Sequence, residues 1–454
     1  MGHPIYRCPR KGESMAIPYN ATGLWPSANF GDAPKYASGV RGEVRVTPSD
    51  RRHLRTLAER VAALAARPEE AQKRELWYAH NALKGRRPLV LADPENGWNE
   101  IVPAASLCCE GPLARRWEMV LRKELFWGER VRDDKPIEAL FEVGYTYTDT
   151  EWGVEETYHG GSSGQSYAWE GGIKGPSDVD RIGRPRIDVD YPTSLETLAL
   201  AAEVFGGILR VRLRAVWWWS LGMTWDLARL VGLENMLYLL YDDPQMFHRI
   251  MGLLRDGYLA KLDWLESHGL LSLNNDHSYV GSGGIGYSRE LPAQAPEGVG
   301  VRPADMWCLT ESQETIGISP AQFEEFVFQY QLPLQERFGL NCYGCCEPLD
   351  PRWHVIKRIP RLRRVSVSPW ADQEKMAAFL GRDYVFSRKA PPSLIAVPHP
   401  EEESVRADLR GTLEKARGCV LEIIMKDNHT LGGNPDNLVQ WVRMAREEID
   451  RHWK

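Results

Sequence analysis

The sequence predicts an α/β protein, a (β/α)8 TIM barrel with an N-terminal extension and long loop insertions. Short apolar runs recur near residues 88, 139, 209, 271, 339, 363, 383 and 419, which is the number such a barrel needs. Helical patterns separate most of them; between 244 and 268, Phe247, Ile250, Met251, Leu254, Tyr258, Leu262 and Leu265 fall on one face. With 454 residues, 43% hydrophobic and 26% charged, the chain has room for one large α/β domain carrying insertions.

Taken in order, residues 1–85 read as an N-terminal extension followed by helix, and residues 86–454 as the barrel. The first 46 residues are rich in Gly, Pro, Asn and charge, without a sustained period, and read as an extended arm. A helix then starts at Thr47-Pro48, where a capping hydroxyl precedes a proline suited to the first helical position. Pro88-Leu89-Val90-Leu91-Ala92 reads as the first strand, ending at Asp93. Residues 150–185 carry many Gly and Ser and read as a long loop or lid, and Gly281–Gly300 as a second insertion. The run near 305–309 reads either as a ninth strand or as part of that insertion. A helix at about 319–337 leads into the fifth counted strand, and the last helix, 435–453, has Asn434 as its expected cap.

A net charge of -6 and a pI near 6.1 give no basic excess, so neither nucleic acid nor an anionic membrane is an expected partner. No apolar run reaches the roughly 18–20 residues of a membrane span, and the N-terminus lacks the apolar core of a signal peptide. Eight cysteines without a framework of spaced pairs fit reduced thiols and a cytoplasmic location. Phosphate loops, dinucleotide fingerprints and serine nucleophile elbows are absent; Gly281-Ser282-Gly283-Gly284-Ile285-Gly286 has the glycines but lies within a long loop.

In a parallel barrel the chemistry lies just past the carboxyl ends of the strands. The richest such stretch is Asn341-Cys342-Tyr343-Gly344-Cys345-Cys346-Glu347, where thiols and a carboxylate meet at a strand-to-helix turn. Those are zinc ligand types. Cys345, Cys346 and Glu347, with His429 from the last strand's loop, are the candidate metal ligands. Neighbouring residues on an extended chain face opposite ways, so both cysteines can serve only if the chain turns at Gly344. The early triplet Cys108-Cys109-Glu110 lacks a preceding strand and reads as coincidence. Glu142, Asp276 and His277 are the candidate catalytic acids and bases. Candidate substrate contacts are Trp217, Trp219, Asn275, Trp307, Gln313, Asn341, Trp370 and Lys389. The triplet Trp217-Trp218-Trp219 reads equally as a buried strand end or as an aromatic wall for a ligand.

Several stretches resemble the uroporphyrinogen decarboxylase superfamily: Gly222-Met223-Thr224, Gly232-Leu233-Glu234-Asn235-Met236-Leu237, Tyr241-Asp242-Asp243-Pro244, Ser319-Pro320, the Asn341–Glu347 segment and Arg364–Trp370. The similarity covers about residues 195–454. It implies a (β/α)8 barrel, the superfamily's dimers (hence a homodimer), and one of two chemistries. Cofactor-free decarboxylases carry an N-terminal arginine motif that this chain lacks. The other branch, methyltransferases that work with corrinoid proteins, binds zinc through a His-x-Cys pair and a cysteine after the last strand. Here Cys345, Cys346 and Glu347 occupy the region of that pair, and no cysteine follows Cys419.

The resulting expectation is zinc-assisted transfer of a methyl group from a small methylated substrate to a separate corrinoid protein. Metal-free decarboxylation, with Arg212, Arg214 and Arg388 as carboxylate anchors, is the alternative. A ligand-binding barrel without catalysis is the third reading.

Overall fold

The computed structural model describes residues 37–40, 42–159, 168–295 and 300–453. Eight strands in parallel pairings form its core: β1 (Leu89–Ala92), β2 (Leu140–Val143), β3 (Arg210–Leu213), β4 (Trp307–Thr310), β5 (Leu340–Tyr343), β6 (Leu362–Val367), β7 (Val385–Lys389) and β8 (Val420–Met425). Six pair in the order β1-β8-β7-β6-β5-β4, so the first and last strands of the series lie side by side. β2 and β3 form a separate parallel pair, Leu140 opposite Arg210. This arrangement is compatible with a (β/α)8 barrel, but among the described residues no continuous ladder closes a ring.

The two openings are bridged by side chains. On one side, Asp134 accepts from the Val90 amide at 2.8 Å and Asp133 from the Ala92 amide at 2.8 Å, so carboxylates satisfy the edge of β1. On the other, the Asn274 carboxamide accepts from Trp307 N at 2.8 Å and donates to Trp307 O at 3.0 Å. That is the pair of bonds a neighbouring strand would make. The apolar run near 271 accordingly forms no strand, contrary to expectation, and the run near 305–309 takes the strand alternative. Asn274 makes those bonds with its side chain, while the chain bends away into a loop.

Alternation along the strands separates two faces. Val90, Ala92, Tyr343, Val365, Val367, Leu421 and Ile423 join the large outer core beneath the helices. Leu89, Leu91 and Ile424 face inward with Trp77, and Trp307, Leu309, Leu340 and Cys342 form a second inward cluster. Also on the inner side, Arg364 binds Glu422 through two nitrogens at 2.9 and 3.2 Å. Ser387 donates to the same carboxylate at 2.5 Å, and His80 lies 3.1 Å from it.

The space between these inward side chains is filled by the segment read as a glycine-rich insertion. Residues 278–286 fold back as a narrow hairpin, with Val280 N donating to Gly284 O at 3.0 Å and Gly286 N to Ser278 O at 2.8 Å. Its residues are buried except for the half-buried Tyr279, and Ile285 and Tyr287 pack with Leu89, Leu91, Ile424 and Trp77. Asn81, at the end of helix Pro68–Asn81, donates to Ile285 O and Tyr287 O at 2.8 Å each and holds the returning arm. Only backbone fits beside Arg364: a Cβ on Gly284 would lie 2.8 Å from the guanidinium carbon, and its φ is +120°.

Elsewhere, Thr47 caps helix Pro48–Ala65 as expected, accepting from Asp50 N at 3.1 Å. The last helix begins at Asp436, one residue later than expected, and Asn434 accepts from its amide at 3.2 Å. The segment read as a lid holds a small antiparallel hairpin, Thr157–His159 with Ala168–Glu170. Most of the expected N-terminal arm lies outside the described residues. No helix among the described residues is long and apolar enough to cross a membrane.

Gly284→Ala is expected to destabilise the fold by about 2–4 kcal/mol, since left-handed strain adds to a clash with a guanidinium that Glu422 and Asn81 hold in place. Urea unfolding of wild type and variant measures it.

Candidate active site

At the carboxyl ends of the strands the polar groups fall into two clusters. The first joins β2, β3 and the loop after residue 273. Glu142 accepts from Arg212 Nε at 2.6 Å and from Arg214 at 3.1 Å, and Asp276 accepts from Arg212 at 2.7 Å. His277 Nε2 stands 3.6 Å from Glu142, so the three predicted catalytic residues are together. Burial pushes Glu142 up, but Arg214, His277 and Arg212 outweigh it and hold the carboxyl well below its usual range. Asp276 is held low in the same way. Both carboxylates are therefore ionised and paired, which suits positioning more than proton transfer. Arg212 and Arg214 are equally committed, and Arg388 binds Asp408 at 3.0 Å, so none is a free carboxylate anchor.

This cluster edges a cavity of about 80 Å3 lined by Trp217, Trp218, Trp219, Trp307, Tyr279 and His277, among others. The tryptophan triplet is thus neither a strand nor its end, but a wall following β3. Trp217 is anchored by its indole N–H to Leu270 O at 2.9 Å, and Trp307 by its own to Gly286 O at 2.9 Å.

The second cluster gathers the ends of β1, β5 and β8 around the hairpin tip. The chain turns at Gly344 (φ +92°), which brings both neighbouring cysteines to one side, their Sγ atoms 3.5 Å apart. Lys426 donates to Ser282 Oγ at 3.1 Å, and Ser282 donates to Cys345 Sγ at 3.1 Å. Cys346, partly exposed, lies 3.8 Å from Asp427. Glu95 stands 3.5 Å from Lys426 Nζ, and Asp427 3.1 Å from it. Two of these residues, Glu95 and Asp427, hold left-handed backbones at φ +51° and +59° on adjoining strand ends. Such strain in residues other than glycine clusters at functional sites.

The charges here are not simply paired off. Burial, reinforced by Asp427, outweighs Lys426 and pushes the Glu95 carboxyl up to about 8, although 19% of its side chain reaches solvent. Burial would lower Lys426, but Asp427, Cys345 and Glu95 hold it well above its usual value. The hydrogen bond to Cys346, with burial, pushes the Cys345 thiol well up. At neutral pH the cluster therefore holds a neutral carboxyl beside a fixed ammonium. Burial also brings Lys389 down to about 7, its amine donating to Ser387 Oγ at 2.6 Å.

The expected zinc donor set does not assemble. Glu347 is wholly buried and accepts from Ser312 N at 2.8 Å and Cys345 N at 2.9 Å, so its carboxylate ties two strand-end loops together. His429 is exposed and pairs with Asn96 at 3.1 Å. The Lys426 ammonium, 4.0 Å from Cys345 Sγ, supplies positive charge where a metal would. These residues do not fit zinc. A different trio, His53, Cys109 and Glu118, has ligand atoms within 4.8 Å of one another. Glu118 already accepts from Arg122 at 2.7 Å and from the Cys108 and Cys109 amides at 2.9 and 2.7 Å. The early Cys-Cys pair thus has a local partner, but one already bound.

Two other expected substrate contacts, Asn275 and Asn341, hold backbone carbonyls. Asn275 spends its amide on Pro292 O at 2.8 Å, and Asn341 donates to Gln335 O and Pro360 O at 3.0 and 2.8 Å. Gln313 opens a short turn, its backbone N–H donating to the Glu311 carboxylate at 3.0 Å. Trp370 is 77% exposed on the rim after β6. The expected sites omitted Glu95 and Ser282. Glu95 follows the first strand, where the strand-end rule applied to Asp93-Pro94-Glu95 finds it; Ser282 carries no local signal.

No family model matches the sequence, and no curated protein matches it. Among solved structures it is similar to a methyltransferase from Methanosarcina mazei, at 13% identity over 84% of this chain and 98% of that chain, with a TM-score of 0.46. No residue here takes its role from so loose a likeness.

Two outcomes follow. Glu347→Gln should cost about 1–3 kcal/mol, because one of the two buried amides it serves is left facing an NH2 donor; thermal unfolding with and without added zinc checks it, and the loss should not depend on zinc. Glu95 holds its proton more tightly folded than unfolded. Its stabilising contribution is therefore complete below the ordinary value of 4.5 and lost as pH rises through about 8. The stability of wild type relative to Glu95→Gln should accordingly decline across that window in urea titrations.

Proposed function

We propose that this chain is a methyltransferase or demethylase that moves a methyl group from a small methylated oxygen or nitrogen compound to an acceptor brought by another protein. The reading is supported above all by the pairing of a neutral carboxyl, Glu95, with the fixed charge of Lys426 on neighbouring strand ends. Demethylation needs those two things. When a nucleophile takes the methyl carbon, the bond from carbon to the leaving oxygen or nitrogen breaks, and the electron pair stays on the leaving atom. Lys426 stabilises that developing charge and Glu95 delivers the proton.

The tryptophan-lined cavity, with Glu142, Arg214 and His277 at its edge, is the substrate subsite in this reading. Its size suits a small group such as a methylamine or a methoxy substituent. Tyr279 lines the cavity and also senses Lys426, Glu95 and Asp427, linking it to the second cluster. The acceptor is a reduced corrinoid on a separate protein, as the sequence resemblance implies, and the transfer uses no zinc at Cys345 and Cys346. The commitment of Arg212, Arg214 and Arg388 to carboxylates disfavours decarboxylation.

Mixing the protein with cob(I)alamin and a panel of methylamines and methoxyarenes should produce methylcobalamin, followed by its absorbance. Lys426→Met should lower the rate by about 100-fold or more. The wild-type rate should fall as pH rises through about 8, and Glu95→Gln should lose that limb together with most of the activity. No methyl transfer from any member of the panel, with the protein folded, would remove this reading.

A further inference from the structure

We propose that Cys345 and Cys346 form a peroxide-oxidisable dithiol that closes to a disulfide between neighbouring residues. The inference is independent of the methyl-transfer reading. It begins from geometry: side chains of adjacent residues in an extended chain diverge, yet here the sulfurs are 3.5 Å apart. The turn at Gly344 brings them together, and Glu347 fixes the turn by accepting from Cys345 N at 2.9 Å. Bonding requires the sulfurs to close to about 2.05 Å, a short approach for two side chains already in contact.

The two thiols differ in the way such a pair requires. Cys346 is partly exposed and is the sulfur that an oxidant in solvent can reach. Cys345 is buried behind it and bound to Ser282, which in turn receives from Lys426. Cys308 and Cys342 are sealed within the strands, and Cys419 is buried at the start of β8.

The oxidant is hydrogen peroxide supplied from outside. The Cys346 sulfur, as thiolate, attacks one peroxide oxygen; the O–O bond breaks, leaving a sulfenic acid and hydroxide, which takes up a proton to become water. Cys345 sulfur then attacks Cys346 sulfur, the S–O bond breaks, and the hydroxyl leaves with the Cys345 proton as a second water. Two thiols are oxidised by two electrons, and one peroxide is reduced to two waters. The Lys426–Ser282 line ends on Cys345, where the charge of the attacking sulfur must be steadied.

Limited hydrogen peroxide treatment of the full chain, then alkylation and peptide mapping by mass spectrometry, tests this. The peptide spanning 345 and 346 should lose two hydrogens, resist alkylation, and recover both thiols with a thiol reductant. Cys345→Ser should instead leave a dimedone-reactive sulfenic acid at Cys346, and Ser282→Ala should slow closure without abolishing it. Two results in wild type would overturn the proposal: both thiols still alkylated after treatment, or Cys346 driven to sulfinic acid with Cys345 intact. Because the wild-type peptide map is decisive without the variants, a substitution that prevents folding leaves the test intact.

Discussion

A single buried ion pair, Glu422 with Arg364, determines how the inside of this protein can be filled. Both groups are almost wholly inaccessible, and a charge in that position is tolerable only if it is paired and hydrogen-bonded. Arg364 grips the carboxylate with two nitrogens, Ser387 and His80 complete its surroundings, and Asn81 accepts from the guanidinium at 2.7 Å. The Arg364 side chain therefore cannot move aside. Whatever shares the space with it must be backbone without a Cβ, which is why the hairpin there is glycine-rich. Asn81 does double duty, since its amide nitrogen holds the hairpin's carbonyls. The hairpin's depth, and hence the position of Ser282 at its tip, follows from that one pair.

Two clusters built from similar residues have opposite electrostatic character. Around Glu142 and Asp276 the arginines bring in enough charge to ionise and pair the acids, leaving a stiff polar edge for an aromatic cavity. Around Lys426 one ammonium faces two acids and a thiol, and burial leaves one of the acids protonated. The first arrangement fixes geometry; the second keeps a carboxyl with a raised pKa beside a permanent charge. Tyr279, on the buried hairpin, lines the aromatic cavity and lies within the electrostatic reach of Lys426 and Glu95.

The strand series from β5 to β8 was legible in the sequence because each strand carries a short β-prone apolar stretch set between helices. The failures lie where side chains replaced backbone. Asn274 makes a strand's hydrogen bonds from its carboxamide, so Leu270–Leu273 looks like a strand and is not one. Cys345 and Cys346 stand out because thiols are rare, and Glu347 misleads for the same local reason. A carboxylate next to two cysteines looks like a ligand until Ser312, distant in sequence, brings its amide to it.

By itself the sequence determined the alternation of strands and helices and the residue types that meet at the strand ends, since these depend on local periodicity. Only the tertiary structure decided which acids are ionised, which cysteine is shielded, and that a glycine loop would run inward rather than over the surface. Those outcomes depend on burial and on charges far apart along the chain. Neither quantity is written in any short stretch of sequence.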